Sequence, residues 1–513
     1  MSEAGELKIL KRNILSSYLG QTVSLALGVF LIPLYLHLLG VEAYGLIGFF
    51  TSLQIILQIL DFGISSAMNR ELARQKSDSA KASENRQLVF TLQFFYALMG
   101  CVLGVIVCLL GTMGAGAQWL NVHDLHAETI QNSFILYGIY IAVRWPSVFY
   151  GSVLRGLEHQ VLFNAITAGT ALARAAGVIL VLVFFSQTLE FFLILQIVFA
   201  AIETGLLAFY AWRVMPAKTS GVRFRPHLTS SLWNFAAAMT LTSLFVIILR
   251  QTDKIYISRL LPLNELGFYS TAGALSGLLA ALSTPLFYAI YPRFSSLLAD
   301  KREKELINLY RVSLSLACAL TAPAAGILIF FPDTVLLIWT RSVVVADEAS
   351  RSLALLSLGS LLNSLMMTVP HALQLASHRV MIPFLLNLAG LLFFIPGMHI
   401  AVSKWGVDGA AGLWAAYNVL YYFAAPFLMK HYQLPGAGNS VFLKDTAPML
   451  AAGLGIPGVV RIGAHYAGFS AGPLLLAVSA ILASAACVAL CEPLRRRALL
   501  ILKWKKEGRP GQA

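Results

Sequence analysis

Apolar runs of about 20 residues follow one another along nearly the whole chain. The connections between them are too short to hold a folded domain. A run of that length crosses a hydrocarbon core of about 30 Å as an α-helix, so about fourteen such runs imply an all-α polytopic membrane protein. The expected spans include 45–67, 130–152, 190–212, 231–258, 380–402 and 407–429. Two more, 446–466 and 471–491, are thinned by Gly and Pro. Composition agrees, with 58% hydrophobic and only 12% charged residues and a mean hydropathy of +0.75, against about 25% charged in soluble domains.

The placement of charge gives the orientation. With the N-terminus in the cytoplasm and the spans alternating, most of the 37 Lys and Arg residues fall on cytoplasmic segments. Only Arg259, Arg341, Arg351, Lys404 and Arg461 fall on the other side. By the positive-inside rule both termini are cytoplasmic. The net charge of +13 is then a consequence of topology, assisted by anionic lipid, and nucleic acid is excluded as a partner. The opening MSEAGELKILKRN leads into a full-length span with no small-residue cleavage site, which reads as a retained signal anchor. The five cysteines lie in apolar segments, with neither metal-ligand spacing nor a disulfide framework.

An internal repeat organises the spans. LYLHLLGVEAYGLIG (34–48) can be laid on YISRLLPLNELGFYS (256–270) with Tyr44-Gly45 over Leu266-Gly267. Each copy ends a span, makes a short loop and re-enters with Gly, and both run in the same direction. The expected plan is two pseudo-symmetric six-helix lobes at 1–225 and 226–440, two additional helices at 441–494 and a basic cytoplasmic tail at 495–513. Parallel repeats of this kind put a substrate site at the lobe interface near the midplane.

Polar residues inside the spans mark candidate cavity walls. In the long stretch 231–261, Arg250, Asp253 and Lys254 interrupt the apolar pattern within about one helical turn. Charge at bilayer depth costs about 2.5–3.5 kcal/mol on insertion scales, so it faces protein or water. The second span carries Thr51, Gln54, Gln58, Asp61 and Ser65 at helical spacing; the fourth carries Tyr137, Tyr140, Arg144 and Ser147; the fifth carries Asn164, Thr167, Thr170 and Arg174. Ser and Gly at such positions serve mainly close helix packing. Gln54, Gln58, Asp61, Arg144 and Arg174 are too polar for packing alone. Four in-span cations (Arg144, Arg174, Arg250 and Lys254) are set against two carboxylates, Asp61 and Asp253, leaving a net positive interior. Such an interior suits an anionic solute, and Arg matches phosphate oxygens in bidentate geometry. Tyr137, Tyr140, Trp145 and Tyr150 could stack on sugar faces or form an interfacial belt.

Enzyme signals are poor. The run 453–458 formally matches GxGxxG but sits inside a span with no strand before it. There is no Walker A, HExxH or GxSxG sequence, and no cofactor is implied.

The opening stretch KRNILSSYLGQTVSLALGVFLIPLYLHLLGVEAYGLIGFFTSLQIILQILDFGISSAMNREL resembles the start of bacterial polysaccharide (Wzx-type) flippases. So do QTDKIYISRLLPLNELGFYSTAGALSGLL and the later YPRFSSL. These proteins form part of the multidrug/oligosaccharidyl-lipid/polysaccharide exporter superfamily. The telling pieces are LDFG at 60–63 with Asn69-Arg70, and Gln251-x-Asp253-Lys254. The resemblance implies alternating access and translocation of an undecaprenyl-pyrophosphate-linked oligosaccharide across the inner membrane. The sugar and pyrophosphate would occupy a cationic cavity lined by Arg144, Arg174, Arg250, Lys254, Gln54, Gln58 and Tyr140. Asp61 and Asp253 would serve in ion coupling or charge pairing, and a polysaccharide polymerase and a chain-length regulator are the expected partners. The extra pair of spans at 446–491 also fits lipid II flippases, and a cation-coupled multidrug exporter is a further alternative.

Overall fold

A computed structural model describes residues 16, 20–23, 25–75, 82–215, 224–225, 230–377, 381–432, 439–469 and 472–491. The N-terminal basic segment and the C-terminal basic tail lie outside the described residues. Among those described, regular structure is helical, with a single isolated bridge between Asn121 and Pro262. Among the described residues, eleven helices are long and apolar enough to cross a membrane. The expected spans at 130–152 and 231–258 lie in two further long helices, Ala127–Gly156 and Ser230–Leu260. The chain divides into two compact units, Met1–Gly267 and Phe268–Ala513.

In the first unit, α1 (Ile32–Leu39) stops at Gly40, whose φ of 88° only glycine adopts readily. There follow α2 (Val41–Leu57), α3 (Ile64–Gln75), α4 (Ala82–Thr112), α5 (Ala115–Trp119), α6 (Ala127–Gly156), α7 (Gln160–Phe184), α8 (Leu189–Val214) and α9 (Ser230–Leu260). The expected continuous span at 45–67 is broken. A 3₁₀ turn at Gln58–Asp61 follows α2, and then Phe62 (φ 50°) and Gly63 (φ 69°) both turn left-handed before α3 begins. Two successive left-handed residues cannot continue a right-handed helix. LDFG is therefore a helix break, and the stripe inferred across it does not lie on one face.

The break is braced by Asp61. Its carboxylate accepts hydrogen bonds from the Ser65 backbone N–H (3.3 Å), the Ser65 hydroxyl (2.6 Å) and the Tyr96 hydroxyl of α4 (2.5 Å). It thus caps the first turn of α3, where the helix dipole favours negative charge.

Helix α6 packs between α4 and α8. Gly104 and Gly138 face each other there, so closely that a Cβ on either would stand 2.6 Å from the other's carbonyl oxygen. Small residues allow this approach in place of hydrophobic driving force. Pro146 interrupts the α6 ladder. The Thr204 hydroxyl of α8 donates to the nearby Val143 carbonyl at 3.0 Å, which ties α8 to α6 beside the proline.

The residues aligned in the repeat meet physically. A Cβ at Gly45 would lie 2.2 Å from the Leu263 carbonyl oxygen, and one at Gly267 would lie 2.4 Å from the Val41 carbonyl oxygen. Each glycine thus faces the carbonyl four residues before the other. The start of α2 and the start of α10 (Leu263–Ala299) cross reciprocally. Beside the crossing, the buried Glu42 carboxylate accepts the backbone N–H groups of His123, Asp124 and Leu125 at 2.7, 2.7 and 2.8 Å. The Arg259 guanidinium donates to the Gln118 carbonyl at 2.8 Å and covers the Trp119 ring. Helix α9, expected to open the second lobe, packs against α2, the 3₁₀ turn and α3.

The second unit contains the rest of α10 with α11 (Glu303–Phe330), α12 (Pro332–Thr340), α13 (Val343–Ala376), α14 (Met381–Tyr432), α15 (Asn439–Tyr466) and α16 (Pro473–Leu490). Helix α14 is two spans: Gly406 is non-helical (φ 58°, ψ −143°). Contacts of Gly409 with Ala401, Gly397 with Leu413 and Gly390 with Tyr417 show its halves folding back antiparallel. This accounts for the expected pair 380–402 and 407–429. The glycine-rich run at 453–458 lies in α15, where Gly453 packs against Ala322 and Gly326 of α11. Arg461 of α15 pairs with Asp333 of α12 at 2.8 Å. The additional pair of helices is thereby fastened to α11 and α12.

Candidate functional site

A cleft with polar groups set in a mainly apolar lining runs along the first unit between α1, α2, α6, α7 and α8, in three adjoining cavities. At one end, a cavity of about 100 Å³ is lined by Gln54, Gln58, Tyr140, Arg144, Trp145 and Ser147 with apolar neighbours. The middle cavity, of about 120 Å³, shares Gln54 and Tyr140 with it and adds Thr51, Tyr137, Phe192 and Gln196. The far cavity, of about 240 Å³, shares Phe192 and Gln196 and adds Gly28, Tyr35 and Arg174. Both arginines sit near the middle of their helices, at the depth where transporter sites are built.

The wall between the arginines is aromatic and ordered. Phe50 and Tyr137 stack at 4.2 Å with 10° between their planes, and Tyr137 and Tyr140 stack at 5.4 Å. The Tyr137 hydroxyl donates to the Phe50 carbonyl at 2.5 Å, which ties the row to α2. Gln54 and Gln196 offer amide donors and acceptors on either side of it. Phe50, Tyr137 and Tyr140 are buried, so the row is the packed floor of these cavities, and a ring with an apolar face and polar edges suits what it leaves exposed.

The two ends differ in charge. Arg144 Nη1 donates to Glu203 Oε2 of α8 at 2.7 Å, with side-chain exposures of 25% and 8%. This corrects the sequence-based tally of interior charge, which sets only Asp61 and Asp253 against four cations and overlooks Glu203. Arg144 is half of a neutral pair. A buried guanidinium without a partner is costly, so the pair forms wherever geometry allows. Arg174, by contrast, has no carboxylate among the described residues within ion-pair distance. Among the described residues it is the positive charge of the cleft that no carboxylate compensates.

The remaining candidates lie elsewhere. Asp61 is committed to the helix break. Arg250 is exposed and Lys254 half-buried on α9, and neither lines this cleft. Asp253 accepts the Lys254 backbone N–H at 2.8 Å. Sequence reasoning missed Gln196, Glu203 and Tyr35. Gln196 and Glu203 lie two turns apart on α8, a polar pair at helical spacing that could have marked the face.

A family model described as "Polysaccharide biosynthesis protein" matches residues 10–298, more than half of the chain. A second model, MatE, matches residues 238–400. No curated relative matches the sequence. Among solved structures, the lipid II flippase MurJ in an inward closed conformation is similar at a TM-score of 0.67 and 14% identity. That match covers 94% of this chain and 99% of that one. An inward-facing multidrug resistance MATE family transporter of the MOP superfamily aligns at a TM-score of 0.63 and 11% identity, covering 81% and 95%. The MATE multidrug transporter DinF-BH aligns at 0.54 and 13% identity, covering 85% and 96%. At these identities the likeness is one of fold. The chain is a multi-pass membrane protein on the fold shared with MurJ and the MATE transporters, and by the match over 10–298 it belongs to the polysaccharide biosynthesis protein family.

Proposed function

We propose that the protein is a flippase that moves an undecaprenyl-pyrophosphate-linked oligosaccharide, an O-antigen, capsule or exopolysaccharide repeat unit, from the cytoplasmic to the outer leaflet of a bacterial inner membrane. The observation that carries this reading is the cleft. An arginine with no carboxylate partner among the described residues stands at one end, and a stacked tyrosine row flanked by amides leads away from it. Arg174 supplies bidentate donors to a phosphate, and the row receives sugar rings. The lipid tail stays in the bilayer while the two lobes alternate access to the head group. No bond is made or broken. An anion leaving a negative-inside cell gains about 2.3 kcal/mol per charge per 100 mV, so the membrane potential assists export. The charge asymmetry of the loops supports cytoplasmic termini, and a polymerase and chain-length regulator are the natural recipients of the product.

A lipid II flippase is the second reading, favoured by the near full-length alignment with MurJ and by the additional helices α15 and α16. One experiment separates the readings. The purified protein is reconstituted in liposomes, and transfer of labelled undecaprenyl-pyrophosphate oligosaccharide, of lipid II and of a cationic dye is followed with and without a membrane potential. Fast transfer of the oligosaccharide that Arg174→Ala abolishes supports the proposal. Transfer of lipid II alone supports the second reading, and transfer of the dye alone supports a drug exporter.

A further inference from the structure

We propose that Glu203 sets the substrate specificity of the cleft, by cancelling the charge of Arg144 so that the end of the site it lines accepts neutral sugars and disfavours acidic ones. This rests on the flippase reading above and assigns the two ends of the cleft different chemistry.

The geometry separates donor capacity from charge. Arg144 has five N–H donors, and the described contact with Glu203 uses one nitrogen, Nη1. Its side chain is a quarter exposed, and the cavity it lines is shared with Tyr140, Gln54 and Gln58. Glu203, only 8% exposed, does not line that cavity. A ligand at this end therefore meets guanidinium N–H groups, what Tyr140 leaves exposed and two amides, with the carboxylate 2.7 Å from Arg144 Nη1. Sugar hydroxyls, which accept from Arg and exchange donors with amides, suit that surface. A sugar carboxylate would gain from Arg144 and lose to Glu203, and would be desolvated for little return. The far end differs, since Arg174 has no carboxylate partner among the described residues and suits the diphosphate. Specificity built by a repulsive group behind an attractive one is a common way to discriminate similar ligands.

The test uses the full chain in lipid nanodiscs and two synthetic short-chain polyprenyl-pyrophosphate disaccharides, identical except that the terminal hexose of one is a uronic acid. The readout is the ratio of their dissociation constants, which a purely structural role for Glu203 would leave unchanged. Wild type should favour the neutral ligand. Glu203→Gln should move the ratio about tenfold toward the uronic acid, a partly exposed pair being worth less than a buried one. Arg144→Gln, which leaves the carboxylate alone, should move it the opposite way by a similar factor. Arg144→Gln combined with Glu203→Gln should return the ratio to that of wild type, and Glu203→Asp should preserve it. The opposite signs keep the test decisive if one single variant fails to fold. Binding of both ligands with a ratio that no folded variant moves would overturn the role of Glu203 and leave the flippase reading standing. Binding of neither ligand by wild type would overturn both.

Discussion

The crossing of α2 and α10 gives a prediction whose size follows from the coordinates. An alanine at position 45 puts a methyl carbon 2.2 Å from the Leu263 carbonyl oxygen, and one at position 267 puts it 2.4 Å from that of Val41. Both partners are helix backbone, so no rotamer change relieves the clash. Ordinary contact begins at 3.4 Å, and the helices must therefore separate by about 1 Å, an overpacking that costs about 1–3 kcal/mol. A single separation relieves both contacts. Gly45→Ala and Gly267→Ala should each lower stability by that amount, and the double variant should cost little more than the worse single one, a coupling of at least about 1 kcal/mol. Unfolding titrations in mixed SDS micelles measure all four proteins. Singles within about 0.5 kcal/mol of wild type, or a double variant that is simply additive, would show that the two glycines do not share one close approach.

Three further outcomes follow from local geometry. Gly63→Ala, forced to keep a φ of 69°, should destabilise by about 1 kcal/mol or more in the same titration, whereas alanine at a helical glycine with open space around it, such as Gly169, should stabilise slightly. Asp61→Asn weakens the cap on α3 and the Tyr96 contact and should cost about 1–2 kcal/mol; equal stability would mean the break is held by Phe62 and Gly63 alone. Glu42→Ala leaves three backbone N–H groups without their acceptor. Hydrogen exchange at His123, Asp124 and Leu125 should accelerate at least about tenfold, because each of these bonds is charge-assisted.

The helical class is legible because the bilayer permits few solutions: an apolar run of about 20 residues has little choice but to be a helix. The repeat is legible for a related reason, since Gly45 and Gly267 are glycines only because backbone passes within contact of their Cα atoms. The breaks are harder. LDFG lies inside an apolar window, and hydropathy does not register that Phe62 and Gly63 turn left-handed. Gly406 marks a boundary because charged and polar residues surround it, so the spans on either side read separately. Partners on different helices are least visible: nothing local to Asp61 points to Tyr96, 35 positions on.

Interior charge illustrates the same limit and changes what the ligand inference rests on. Counting charges along the spans sets four cations against two carboxylates and leaves a net positive interior. In three dimensions Arg144 belongs to Glu203, while Arg250 and Lys254 lie off the cleft. Among the described residues the positive character of this cleft therefore comes from Arg174. The two in-span arginines should accordingly fail in different ways. Arg174→Ala removes a charge with no carboxylate partner among the described residues, so stability should hold within about 0.5 kcal/mol while pyrophosphate-lipid binding is lost. Arg144→Ala strands the Glu203 carboxylate at 8% exposure. It should lower stability by about 1–3 kcal/mol, below the full buried-pair cost because Arg144 is partly exposed, and pairing it with Glu203→Ala should recover most of the loss. Stability measured beside pyrophosphate-lipid binding distinguishes the cases. If Arg144→Ala and Arg174→Ala lose binding equally at unchanged stability, the ion pair does not neutralise Arg144, and the positive charge of the cleft is shared by both arginines.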